Sequence, residues 1–143
     1  MKIAIIGAGV AGLTLAILLT DQGHTVSLHE RRSRDALMTE GLFLTLAPNG
    51  TRLLSKLDPG FDLAQAGIPT TGIALLDERG HQLGFFDQSD HQEIFGGPSL
   101  TLARNALIAM LLGWAERRGI TVSFDRSSAS SCSSVAANRR GSG

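Results

Sequence analysis

Apolar and polar positions along the chain fall into blocks of two different periods. Ile3-Ala4-Ile5-Ile6 is a short unbroken apolar run and reads as a strand buried on both faces. Gly7, Gly9 and Gly12 follow at once. Val10 to Leu19 is apolar again and long enough for a helix. Asp21-Gln22-Gly23 stops that helix, with Gly23 suited to the left-handed position after the last turn. Thr25-Val26-Ser27-Leu28-His29 alternates and predicts a second strand, which Glu30 closes. Strand, helix and strand in this order predict an α/β fold opening on a parallel sheet.

Beyond Glu30 the segments are shorter. Arg31 to Asp35 reads as a charged turn, and Gly41 to Leu46 as a strand with Phe43 and Thr45 on one face. Pro48-Asn49 breaks it, and Asn49 is placed as N-cap of a helix through Leu57 that Asp58-Pro59-Gly60 ends. Phe61 to Ala66 has room for one more helical turn. Residues 72–77 and 81–86 flank Glu78-Arg79-Gly80 and predict a hairpin, so a second layer is inserted at about 70–87. Asp87 to Gly97 reads as loop and Ser99 to Leu102 as a strand.

Arg104 to Arg118 predicts a helix with Leu107, Leu111 and Trp114 on one side and Ile108 and Leu112 beside them. Arg117 and Arg118 complement its C-terminal end, and Gly119 follows. Ile120 to Phe124 alternates as a last strand, with Ile120, Val122 and Phe124 facing one way and expected on an uncovered apolar face. From 126 to 143 the chain is rich in Ser, Ala, Arg and Gly and keeps no apolar period, so it reads as a disordered tail. The domain expectation is one partial nucleotide-binding domain over 1–125, followed by that tail.

Composition narrows the function. Of 143 residues, 13 are Lys or Arg and 13 are Asp or Glu, giving zero formal net charge, so neither nucleic acid nor an anionic membrane is indicated as partner. Cys132 is the only cysteine and the four histidines lack ligand spacing, so no metal site is expected. Reading Ile3–Leu19 as a signal or membrane-spanning segment sits poorly with the polar Thr20 to His24 after it and with three glycines inside it. A soluble, cytoplasmic protein is the expectation.

The chemistry sits in the first block. Gly-x-Gly-x-x-Gly between a strand and a helix is the context in which that pattern signals a dinucleotide. Gly7 permits the tight turn, Gly9 lets a pyrophosphate approach the backbone at the helix N-terminus, and Gly12 lets helix and strand pack closely. Ala8 and Ala11 complete the backbone that would meet the ligand. Glu30, 18 positions after Gly12, can accept both hydroxyls of an adenosine ribose and would repel a 2′-phosphate, which disfavours NADP there. A purely structural glycine turn would not require a carboxylate at that strand end. Arg31 and its neighbours either form a solvated face or lie over the cofactor's phosphate or adenine. Arg104, at a helix N-terminus where a cation is disfavoured, either is solvated or meets an anion.

Four stretches together resemble the N-terminal part of class A FAD-dependent monooxygenases, the para-hydroxybenzoate hydroxylase-like group. They are Lys2 to Arg32, Gly41 to Gly50 leading to Leu53-Leu54, Gly72 to Gly84, and Leu102 to Leu111 with its Arg-x-x-Leu at Arg104. The resemblance covers residues 1 to about 124. It implies FAD as cofactor, NAD(P)H as co-substrate, oxygen transfer to a small, usually aromatic substrate, and an Arg104 that approaches the FAD. No catalytic residue is assigned. The family's later Asp-Gly and Gly-Asp motifs have no counterpart here, so a truncation or frameshift near 126 is expected, with a chain inactive alone. Another flavin or NAD oxidoreductase, such as a reductase or halogenase, shares the same opening. A vestigial product that never completes a flavin site is the non-enzymatic alternative.

Overall fold

In the computed structural model, residues 1–126 are described. The expected tail of 126–143, Cys132 included, lies outside them except for Arg126. The elements in chain order are β1 (Lys2–Ile6), α1 (Val10–Asp21), β2 (Thr25–His29), α2 (Arg34–Thr39), β3 (Phe43–Leu46), α3 (Pro48–Leu57) and α4 (Leu63–Ala66). They continue with β4 (Ile68–Pro69), β5 (Gly72–Leu76), β6 (Gln82–Asp87), α5 (His91–Phe95), β7 (Leu100–Ala103), α6 (Arg104–Arg117) and β8 (Thr121–Ser123). No helix among the described residues is long and apolar enough to cross a membrane.

The chain divides into two units. The first comprises residues 1–41 and the chain from Asn105 onward. Its sheet is parallel throughout, in the order β1-β2-β8, with Ile5 opposite Leu28 and Leu28 opposite Val122. The central strand is the buried one: Val26 and Leu28 lie in the core with Leu13, Ala16 and Ile17 of α1. From α6, Leu107, Ile108, Leu111, Leu112 and Trp114 are all buried, as their spacing predicts. Arg118 Nε donates to Asp21 at 2.7 Å, joining the segment after α6 to the end of α1.

Three sequence expectations change here. β1 is not buried on both faces: it pairs on one side only, and Ile6 is 57% exposed. Ile5 lies beneath Gly12 of α1, so alternation turns Ile6 to the opposite face, which nothing among the described residues of this unit covers. Arg31 to Asp35 is not all turn, because α2 begins at Arg34. Ser33 caps it, its Oγ accepting the Ala36 N–H at 3.1 Å, and Asp35 stands in the first turn. Ile120, expected on an uncovered face, is only 5% exposed.

The second unit spans Leu42–Arg104. β3, β7 and β4 form an antiparallel sheet in that order, and β5 pairs with β6 as the expected hairpin, with a bulge between Leu75 and Leu76. Asn49 is not the N-cap of α3. Ala47 holds that place, and Pro48 takes the first helical position, where its missing N–H costs nothing. Asn49 Oδ1 instead accepts the Gly50 N–H. Thr51, fully buried, donates its hydroxyl to the carbonyls of Pro48 and Pro98 and so fastens α3 to the strand entry before β7. The stretch read as loop from Asp87 to Gly97 contains α5, which is too short and too polar for its period to register.

Candidate functional site: a dinucleotide turn closed by a buried carboxylate

The site grows out of the C-terminal ends of β1 and β2. Gly7 leaves β1 at φ +99°, a conformation that side chains rarely adopt, and donates its N–H to the His29 carbonyl at 2.7 Å. That bond fixes the start of the turn against the neighbouring strand. A Cβ on Gly12 would overlap the Gly7 carbonyl oxygen and lie 3.1 Å from its carbon, so only glycine allows α1 to sit this close. Gly9 is different. It caps α1 in extended conformation, and a Cβ there would meet nothing within 4 Å.

Open space over Gly9 adjoins an unneutralised helix end. α1 has no side-chain cap and no acidic residue in its first turn, so its leading N–H groups have no partner within the helix. Their positive field favours an anion, and a pyrophosphate fits that requirement. Ala11 is exposed in this first turn. Ala8 is fully buried and its N–H is not free for a ligand, because it donates to Glu30 Oε2 at 2.8 Å.

Glu30 is 4% exposed and closes the turn from below. Its Oε1 accepts both the backbone N–H and the Nε–H of Arg32, each at 3.0 Å. Burial pushes this carboxyl up, but the hydrogen bonds from the Arg32 side chain, the Arg32 backbone and the Ala8 backbone, with the Arg32 charge, outweigh it. The group is held below the usual carboxylate range. A carboxylate offers about four acceptor positions, and three are taken. One acceptor position, on Oε2, is left open to a donor from outside the chain.

Gly7, Ala8, Gly9, Ala11, Gly12, Glu30 and Arg31 all belong to the first unit. Arg31 is exposed. Arg104 lies in the second unit, where it opens α6, donates its backbone N–H to the Leu42 carbonyl at 2.9 Å and keeps a half-exposed side chain. The bonds of Arg32 to Glu30 are what sequence reasoning did not assign to the arginines after β2. Their signal was the Glu-x-Arg spacing, which places two side chains on one side of an extended strand end. Among the described residues no cluster of His, Cys, Asp and Glu could hold a metal ion.

Comparison with known proteins extends this geometry. Residues 5–36 match the NAD(P)-binding Rossmann-like domain family. The chain is 42% identical over 73 residues to 3-amino-4-hydroxybenzoate 2-monooxygenase of Streptomyces cremeus, covering 51% of this chain and 18% of that protein. It is 32% identical over 130 residues to kynurenine 3-monooxygenase of Stenotrophomonas maltophilia, covering 87% of this chain and 28% of that one. Among solved structures, HpxO of Klebsiella pneumoniae, complexed with FAD and uric acid, superposes with a TM-score of 0.68 at 25% identity, over 88% of this chain and 31% of HpxO. The chain thus spans less than a third of each relative. Across that span, sequence and fold agree that this chain corresponds to the dinucleotide-binding part of the FAD-dependent monooxygenases.

Proposed function

We propose that the chain supplies the ADP-binding end of an FAD-dependent monooxygenase that uses NAD(P)H and O₂ to hydroxylate a small aromatic substrate in the cytoplasm. The observation that carries this is the buried Glu30 carboxylate, with one acceptor position left, beneath the open backbone at Gly9. In this reading the N–H groups at Gly9 and Ala11 receive the pyrophosphate. Gly7 and Gly12 shape the turn, and Ala8 positions it through Glu30. Glu30 holds the adenosine ribose and rejects a 2′-phosphate by charge. Arg31 and Arg104 supply the positive charge near the phosphates, Arg104 from the start of α6. Bound FAD would provide the redox and oxygen chemistry, while the protein binds, orients and excludes water.

The substrate class follows the relatives: one is named for an aminohydroxybenzoate, one for kynurenine, and HpxO was captured with uric acid. All are small molecules built on an aromatic or conjugated ring. A calorimetric titration tests the nucleotide part. ADP is expected to bind and 2′-phospho-ADP to bind more weakly, and Glu30→Ala should erase most of that preference. Equal affinity for the two in the unaltered chain would overturn the assignment of Glu30.

A further inference from the structure

Two arginines follow Glu30, and composition alone does not separate them. Arg31 is exposed and forms no ion pair among the described residues. Arg32 is held on every side. Its backbone N–H and Nε–H both reach Glu30 Oε1 at 3.0 Å, and its carbonyl accepts the Asp125 N–H at 3.2 Å. Its Nη1 lies 3.9 Å from Glu40 Oε2. Glu30 Oε1 is therefore saturated, and rotation of the carboxylate would break two charge-assisted bonds at once. The remaining acceptor position can only be on Oε2, the oxygen already pinned by Ala8.

We infer that Arg32 is a positioning residue of the nucleotide site, locking the Glu30 carboxylate so that Oε2 presents its last acceptor position to a ribose hydroxyl. This rests on the reading of Glu30 as the ribose acceptor. Arg32 also bears on specificity. Its guanidinium is engaged by Glu30 and faces Glu40, so it does not offer a free cation to a 2′-phosphate. With Arg32 removed, Oε1 would keep a single backbone donor, and the buried carboxylate could turn.

The test compares ADP with 2′,3′-dideoxy-ADP, which lacks both ribose hydroxyls, by calorimetry on the 143-residue chain and on Arg32→Gln, Arg32→Lys and Arg31→Gln. The unaltered chain should prefer ADP by about tenfold, the ordinary worth of a hydrogen bond to a charged acceptor. Arg32→Gln should bring that ratio close to one, and Arg32→Lys should fall between. Arg31→Gln, which removes a charge proposed to face the phosphates common to both ligands, should weaken both alike and so keep the ratio. A merely structural contribution of Arg32 would weaken both ligands equally and preserve the ratio, which overturns the inference. If Arg32→Gln loses its far-ultraviolet helical signal, Arg32→Lys decides, and an unaltered ratio in that variant overturns it. An unaltered chain that binds neither ligand, or both equally, defeats the Glu30 reading itself, a separate and visible outcome.

Discussion

The carboxylate of Glu30 and the backbone nitrogen of Ala8 stand 2.8 Å apart although 22 residues separate them in the chain. One bond thus ties the end of β2 to the glycine turn leaving β1. The carboxylate that would hold a ribose also holds the loop that would hold the pyrophosphate, so the two halves of the nucleotide site are mechanically one piece.

That coupling makes stability depend on pH in a defined direction. The Glu30 carboxyl is lower in the folded chain than in the unfolded one, so its ionised form favours folding. The contribution is present above the unfolded value of about 4.3 and is lost as pH falls through the lower folded value. Glu30→Gln should therefore be less stable than the unaltered chain by a constant margin from about pH 6 to 8, and the margin should shrink below about pH 4.3. Urea denaturation across that range measures it. A margin that grows on acidification would mean the carboxyl is raised by burial instead.

The glycines should separate into a packing role and a binding role. Gly12→Ala drives a methyl into the Gly7 carbonyl, and overpacking of this kind costs about 1–3 kcal/mol. Gly9→Ala places its methyl in open space and should cost well under about 1 kcal/mol of stability, chiefly through a poorer N-cap. It should nonetheless weaken ADP and FAD, because that methyl occupies the approach to the backbone. Thermal unfolding and ADP titration on the two variants check this, and the opposite pattern would exchange the two roles.

Much of this was legible beforehand, and the exceptions share a physical cause. β1 and α1 follow from unbroken apolar runs on either side of the glycines, β2 and the hairpin from strand-like stretches of five or more residues, and Gly23 follows α1 at φ +83° as expected. α5 spans five residues and α2 six, too few turns for a period to emerge. α2 was betrayed only by Ser33 three positions before Ala36. The N-cap of α3 was misplaced because Asn49 has the stronger side-chain preference, whereas Pro48 determines where the helix starts. The hold of Arg32 on Glu30 was missed because composition does not distinguish it from Arg31; only the Glu-x-Arg spacing, which puts Arg32 on the Glu30 side of the chain, does.

Surface and core contacts within the first unit should differ sharply in worth. Arg34 and Glu116 form a two-pronged ion pair, with Nη2 at 3.3 Å from Oε2, but their side chains are 49% and 43% exposed. A double-mutant cycle should give a coupling below about 1 kcal/mol, fading at high salt. Leu111→Ala, at a position with no exposure, should cost about 2–5 kcal/mol. A salt-resistant coupling comparable to the leucine loss would contradict the exposed geometry.

The last expectation concerns the 143-residue chain as a reagent. It should bind ADP, release FAD on desalting, and give no hydroxylated product from a panel of phenols with FAD and NADPH. Under the proposed function, the residues gathered around Gly7–Gly12 and Glu30 would address only the ADP half of the cofactor. The chain spans 18% of the aminohydroxybenzoate monooxygenase and 28% of the kynurenine monooxygenase that it matches. A flavin held only through its ADP half would leave its ring in water, where reduced flavin passes its electrons to O₂ without transferring oxygen to a substrate. The second unit adds a practical obstacle. Phe43, Ile68 and Leu83 are 75%, 73% and 72% exposed, and Phe85 and Phe86 of the hairpin are each more than half exposed. Apolar surface of that kind favours self-association. Leu83→Lys should therefore reduce light scattering at a given concentration without lowering the melting temperature. Retention of stoichiometric yellow flavin through desalting, together with product formation coupled to NADPH consumption, would show that these 143 residues hold a complete flavin site.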